Sequence, residues 1–290
     1  ILLDEATIYN SSHLFGFFTS FNPDVINDFT LYKSNIPASY GGRLASVFEI
    51  TTRQGSKKKF FGQGGISPVT GHFSLEVPAI RDKVSIVVSG RSSYSDWILK
   101  KIKDANIRKS SAFFYDGTFS ANAEINDKNL IKAFGYISRD IFSLSSINDY
   151  DYSNKGSSLV WKHLFSSSMT FDVAVIYSNY AFENTNKTNL STAYRQKYML
   201  DHYEFRTDFS LLNKADHKIE FGTSEIIYNL NRGTISPFGE ESNRKPVNLG
   251  NETALECAFY LSDEFTLFNN LTVLAGLRYS LFNQYGPAVI

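Results

Sequence analysis

From about Phe60 onward the chain alternates apolar and polar residues one by one, and the connections between these runs alternate in length as well. Short polar turns fall at 78–83, 126–129, 165–168, 213–217 and 268–270, with longer polar stretches between them at 93–112, 140–156, 183–195 and 232–250. A meander with tight turns at one end and long loops at the other has two different ends. A soluble β-sandwich has no reason to sort its loops this way. The pattern is that of an antiparallel barrel in an outer membrane, with tight turns on the periplasmic side and loops outside.

The alternation can be followed strand by strand. Phe113, Tyr115, Phe119, Ala121 and Ala123 share one face, and Asp116, Thr118, Ser120, Asn122 and Glu124 the other. Further on, Tyr203, Phe205, Thr207, Phe209 and Leu211 oppose His202, Glu204, Arg206, Asp208 and Ser210. Side chains on a strand point to alternate faces, so each run has one apolar and one polar side. Half-buried soluble sheets do the same, but three features favour a membrane. Runs of about 10 to 15 residues exceed the usual five or six. Aromatic residues gather near the ends of the apolar stripes, as in an interfacial girdle. Full charges such as Glu204 and Arg206 stand mid-strand on the polar face, which suits a wet or filled lumen.

Composition narrows the remaining choices. The chain is rich in aromatics, with 25 Phe and 17 Tyr. Its slightly negative mean hydropathy is compatible with a barrel, whose strands show lipid only every second residue. A formal net charge of zero gives no basic field for nucleic acid. No apolar run reaches the roughly 18 residues of a transmembrane helix. The single cysteine, Cys257, excludes an intrachain disulfide framework, and Leu255, Phe259 and Leu261 around it place it on the apolar, outward face.

Two regions meet near residues 54–59, predicting domains at 1–55 and 56–290. The first mixes short strands, expected at 1–4, 29–32 and 44–52, with an aromatic loop at 9–21. Asn22-Pro23-Asp24 reads as a helix start, with Val25, Ile26 and Phe29 as the helix's apolar face. The second holds about eleven strands, near 60–67, 71–77, 84–92, 113–125, 129–139, 156–165, 169–182, 196–212, 217–231, 250–267 and 271–283. Single-chain bacterial barrels have even counts, so an odd count predicts part of a larger barrel. The opening Ile1-Leu2-Leu3-Asp4 reads like a strand interior and predicts a start partway through a longer protein.

Several stretches of the first region resemble a known family. They are Leu2–Gly16, written LLDEATIYNSSHLFG, then FNPDVIND at 21–28 with Leu31-Tyr32-Lys33, and above all PASYGGRLASV at 37–47 with EITTRQG at 49–55. These are similar to the plug domain of TonB-dependent outer-membrane receptors, especially of the Bacteroidetes type, and to the lead into their first barrel strand. Glu76-Val77-Pro78 and Ser89-Gly90-Arg91-Ser92-Ser93-Tyr94 resemble the early barrel strands that follow. Recognisable motifs cover about the first 95 residues, and the rest agrees in pattern only. Glu5 and Ala6 stand where the family usually has an Asp-Gly turn.

The resemblance implies an all-β membrane fold. This would be a transmembrane antiparallel β-barrel of 22 strands, of which about eleven are present, with a small α+β plug in its lumen. It also implies active import of a bulky, scarce nutrient (a siderophore, cobalamin, glycan or peptide), driven through the TonB complex of the inner membrane. Outer-membrane lipid and TonB are then the expected partners. A surface lipoprotein partner of the glycan-binding kind would point to oligosaccharide or peptide import. The alternative is a passive porin or adhesin-like barrel, which leaves the plug-like first 55 residues unexplained.

Individual residues follow. In Tyr40-Gly41-Gly42-Arg43 the paired glycines allow positive φ and close backbone approach, and Arg43 is expected to pair with a wall carboxylate such as Glu124 or Glu204. The competing reading is a plain tight turn with a solvated Arg. Plug loops of the family reach toward ligand, which nominates His13 and Phe15. The competing reading there is that the aromatics of this loop pack inside the plug. Asp149-Tyr150-Asp151-Tyr152-Ser153 spaces oxygens like the start of a calcium loop but lacks its later Gly and Glu, and is read as a solvated outer loop. Lys57-Lys58-Lys59 is placed near the periplasmic rim. The five His show no metal spacing, and no nucleophile set or phosphate loop is present. Neither catalysis nor a metal or other cofactor is expected.

Overall fold

The computed structural model describes residues 1–42, 45–145, 147–213, 217–268 and 270–286. At the N-terminus β1 (Leu2–Leu3) and β2 (Ala6–Thr7) form a hairpin. Its turn is made by Asp4 and Glu5 at φ 43° and 75°, a doubly left-handed conformation in which Glu5 takes the place glycine usually fills. β3 (Ser12–His13) and β4 (Phe18–Thr19) make a second small hairpin. β1 then pairs in parallel with β6 (Val47–Thr52), and β6 pairs antiparallel with β5 (Ile26–Tyr32). The expected helix at Asn22 is a single 3-10 turn, Pro23–Val25, capped by the Asn22 side chain accepting from the Asp24 N–H at 3.1 Å. The β-branched pair Val25 and Ile26 favours extended backbone, and the chain leaves the turn directly into β5.

Eleven strands then follow in one uninterrupted antiparallel path among the described residues. They are β7 (Phe61–Ile66), β8 (Thr70–Ile80), β9 (Val84–Ser93), β10 (Ser111–Asn126), β11 (Asn129–Leu144) and β12 (Asn148–Ser166). The path continues through β13 (Met169–Asn186), β14 (Tyr194–Asn213), β15 (His217–Pro237), then β17 (Asn251–Leu267) and β18 (Leu271–Tyr285), with the short β16 (Val247–Asn248) paired to β15. Two of the expected tight turns include residues 214–216 and 269, which lie outside the described residues.

The strands run further than their alternation does. The expected loop at 140–156 is mostly strand, because β11 continues to Leu144 and β12 begins at Asn148. The Asp149–Ser153 stretch therefore lies within β12 and is not a solvated loop. Likewise the gap at 183–195 shrinks to 187–193. In β12 Asp149 and Asp151 take the face that is apolar further down the strand, and Tyr150 and Tyr152 the other, so the hydrophobic pattern breaks while the backbone ladder goes on. Of the stretch 93–112, residues 94–110 do leave the sheet and carry two single-turn helices, α1 (Asp96–Leu99) and α2 (Ala105–Arg108).

The N-terminal unit lies on the polar face of this wall. Leu3, Ala6, Ile8, Phe21 and Ile50 form one buried cluster with Phe134, Tyr136, Ala174 and Ile176 of β11 and β13. So small a unit cannot enclose a core of its own and buries its apolar side on the wall instead. At Gly156 the approach is tight: a Cβ there would stand 3.0 Å from the Ala6 Cβ and 3.2 Å from Ile8 Cδ1, so its neighbours would have to give slightly.

Candidate ligand site

The β3–β4 hairpin carries an apex, Leu14-Phe15-Gly16, in which all three residues have positive φ, at 49°, 58° and 106°. Left-handed backbone is rare for Leu and Phe and persists only where surroundings impose it. Here the wall supplies the constraint. Asp140 of β11 accepts the Leu14 N–H through Oδ1 at 2.8 Å and the His13 Nδ1–H through Oδ2 at 2.7 Å. The Tyr152 hydroxyl accepts the Phe15 N–H at 3.4 Å.

His13 was expected to meet ligand, but its side chain is 0 % exposed. Its ring stacks on Phe114 with centroids 4.2 Å apart, and Nε2 faces Asp116 Oδ2 at 3.3 Å, close but off hydrogen-bond alignment. Arg91 Nε donates to the same Asp116 Oδ2 at 2.7 Å, and its Nη2 to the Thr19 carbonyl at 2.5 Å. Burial pulls the imidazole pKa down, but the carboxylates of Asp116 and Asp140 outweigh it and raise it above the ordinary histidine value. The two buried carboxylates are thus met by Arg91 and the His13 imidazole. The cluster spans three adjacent strands and fixes the hairpin.

Phe15, by contrast, is 58 % exposed. It meets Phe142 and Tyr150 edge-on, each at 5.3 Å between centroids, and Tyr152 at 6.1 Å. Tyr150 leads on to Phe182 at 6.4 Å, and Phe182 stacks on Tyr198 at 4.9 Å. An aromatic bank therefore runs across the outer ends of β11 to β14, on the face that carries the N-terminal unit. Sequence reasoning passed it over. Its one signal is aromatic residues at alternate positions, Tyr150 and Tyr152, inside a stretch that otherwise reads as loop.

Further ties hold the N-terminal unit. Asp4 accepts from the Thr52 N–H at 3.1 Å and pairs with Lys132. Arg206 of β14 binds Glu5 at 2.6 Å and Asp208 at 2.9 Å. Asp24 meets His72 Nδ1 at 2.5 Å.

Near the glycine pair, Arg278 donates to the carbonyls of Ala38 and Ser39 at 3.2 and 2.8 Å, and its guanidinium occupies the space a Cβ on Gly41 would need. Gly42 has φ +65° and lies beside the Glu256 carboxylate. The Tyr40 hydroxyl turns back to Glu49 at 2.9 Å. Arg43 lies outside the described residues. Of its two expected partners, Glu124 pairs with Lys57 and Glu204 lies beside His202 and Arg206.

Residues 93–289 match the family model described as TonB dependent receptor-like, beta-barrel. No curated protein matches the sequence. Solved structures share the fold at low identity. One is the ferric-catecholate import receptor Fiu of E. coli K12 in its open form, with 10% identity, TM-score 0.66, and 90% of this chain and 50% of that one covered. The ferric preacinetobactin receptor BauA of Acinetobacter baumannii gives 11% identity and TM-score 0.68 over 98% and 50% of the two chains. The ferric citrate transporter FecA in its unliganded form gives 10% and 0.71 over 95% and 46%. The chain spans about half the length of these structures. With the family match covering well over half of its residues on an unbroken antiparallel wall, the chain belongs to the TonB-dependent receptor-like β-barrel family of the bacterial outer membrane.

Proposed function

We propose that residues 1–55 are part of the plug and residues 56–290 part of the barrel wall of an energy-coupled importer. The observation that carries this reading is the way the N-terminal unit is held. Its apolar contact with the wall is supplemented by buried or half-buried charges, His13 with Asp116 and Asp140, Asp4 with Lys132, and Glu5 with Arg206. Paired charges fix one geometry yet add little net stability over an apolar contact. Such a unit is located accurately and is still displaceable by work done from the periplasmic side.

Phe15 and the aromatic bank are the first surface a ligand would meet above the plug. Ring faces suit a bulky solute with flat or apolar faces of its own. The named relatives take ferric catecholate, ferric preacinetobactin and ferric citrate, and a chelate or glycan of that size fits the proposal.

The test is growth on a nutrient whose use depends on this gene, compared between TonB-intact and TonB-null strains. Growth should be lost in the null strain. Undiminished growth there would overturn the proposal in favour of passive passage.

A further inference from the structure

The inner face of the wall above the N-terminal unit can be followed row by row through the strand register. One row runs Asp140, Tyr152, Phe182 and Tyr198 across β11 to β14. The row one step further out runs Phe142, Tyr150, Asn184 and Gln196. The row one step further in runs Ser138, Asn154, Tyr180 and Leu200, and continues on β15 and β17 as Leu230 and Glu252. These positions mix rings with amides and hold two carboxylates and no cation. Both carboxylates are engaged, Asp140 by His13 at 2.7 Å and Glu252 by Arg232 at 2.6 Å.

The rings form two groups. Phe182 stacks on Tyr198 with centroids 4.9 Å apart, and Tyr180 adds a tilted ring 6.0 Å from Tyr198. Phe15, Phe142 and Tyr150 make the second group, which meets the first where Tyr150 comes within 6.4 Å of Phe182. Asn184 and Gln196 are the next inward residues on the strands of Phe182 and Tyr198 and lie opposite each other in register. Their amides therefore stand one two-residue step, about 7 Å, beyond the stacked pair. Both are partly exposed, and neither makes a side-chain hydrogen bond among the described residues. Asn154 is different: its amide is committed to Asn10 of the N-terminal unit, accepting from the N–H at 3.1 Å and donating to the carbonyl at 3.2 Å.

Separate ring faces with free amides at their edge complement a chain of uncharged, hydroxyl-bearing rings. We propose that the cargo is a neutral oligosaccharide. One sugar ring stacks on Phe182 and Tyr198 while Asn184 and Gln196 hold its hydroxyls, and a second packs against Tyr150 and Phe15. A sugar ring offers C–H bonds to an aromatic face and hydroxyls at its rim, and a primary amide both donates and accepts, as neighbouring hydroxyls require. A ferric catecholate or ferric citrate complex is an anion, and these rows offer it rings but no cation to pair with. One flat macrocycle would match a continuous apolar floor, whereas this floor is broken into two ring groups with amides between and beyond them. The proposal rests on the reading of this face as the outer lumen of an importer, and it names what that importer carries.

The test applies the full-length receptor in detergent to an array of neutral oligosaccharides. Hits are then titrated by calorimetry beside ferric citrate, a ferric tris-catecholate and cyanocobalamin. At least one neutral oligosaccharide should bind, and none of the other three compounds. Asn184→Asp and Gln196→Glu keep the side-chain shape but remove the N–H donors, and each should weaken oligosaccharide binding about tenfold. Tyr198→Ala should weaken it comparably, and Tyr198→Phe, which keeps the ring face, should leave it unchanged. Thermal melting should be the same in all four variants. Binding of either ferric complex or of cyanocobalamin would overturn the proposal. So would the absence of any hit at millimolar oligosaccharide, or an affinity indifferent to both amide substitutions. Because binding is measured without TonB, the two readings fail separately. Growth that persists in a TonB-null strain removes energy coupling and leaves the sugar site, whereas binding of a ferric complex removes the sugar and leaves the importer.

Discussion

His13 joins two carboxylates that would repel each other without it. It has no contact with solvent, and Asp140 and Asp116 approach opposite ring nitrogens at 2.7 and 3.3 Å. Removing one partner of a buried charged group costs roughly 3–5 kcal/mol, because the others stay desolvated and uncompensated. His13→Ala should therefore open the β3–β4 hairpin, seen as faster amide hydrogen exchange at residues 12–19 with the strands of the wall unchanged. The pH dependence has a definite sign. The folded pKa lies above the unfolded value of about 6.5. The stabilisation is thus fully present below that value and is lost as pH rises through the folded pKa. Protection of the hairpin should fall as pH rises past the unfolded value and through the raised folded one, and in His13→Ala that pH dependence should vanish. Sequence reasoning could single out His13 in its aromatic loop but not its partner, which lies 127 residues away. Only strand register brings Asp116 and Asp140 together, diagonal to each other with Phe114 directly opposite Asp140.

At the scale of the element, legibility followed the membrane. Within the bilayer each strand has lipid on one side, so β10, β13 and β14 could be read by period and their apolar faces named. Past the bilayer the outward face turns polar, at Arg139, Asp149 and Asp151, and the rings move to the inward face, so the apolar-outward pattern ends and the outer ends of β11 and β12 passed for a loop. Phe142, Tyr150 and Tyr152 of the aromatic bank lie in those unread ends, whereas Phe182 and Tyr198 fall inside strands outlined from the sequence, and only strand register brings the two groups together. An aromatic contact is worth about 0.5–1.5 kcal/mol beyond its buried area. Phe15→Ala and Phe182→Ala should each weaken ligand binding by about three- to tenfold in calorimetric titration, with melting of the wall unaffected. Gly156 offers a contrast on the same sheet. Gly156→Val would press on Ala6 and Ile8 and should cost about 1–3 kcal/mol of overpacking. Its readout is faster exchange in the β1–β2 hairpin, with ligand affinity of the bank left intact.

The whole molecule is a wall built to stay and an inner unit built to be located. The wall strands are joined by continuous antiparallel ladders, whereas the inner unit is tied at separate points: Asp24 to β8, His13 to β10 and β11, Glu5 to β14, and Ala38 and Ser39 to β18. No single tie holds the unit, so movement can begin at one side and spare the others. Two cross-links can ask which side moves. A Cβ on Gly156 would lie 3.0 Å from that of Ala6, and one on Gly276 2.9 Å from that of Ala38. Both are slightly inside the usual disulfide spacing of about 3.5–4.5 Å, so a few tenths of an ångström of backbone adjustment lets either bond close. In a Cys257→Ser background, which removes the one native thiol, Ala6→Cys with Gly156→Cys would lock the first hairpin to β12. Ala38→Cys with Gly276→Cys would lock the glycine turn to β18. If uptake needs the whole unit to shift, both locks should abolish it when oxidised and release it on reduction, while ligand binding persists throughout. If movement is confined to one side, only the lock on that side should matter. Full uptake with both disulfides closed would mean that the path lies elsewhere and that the inner unit stays in place during transport.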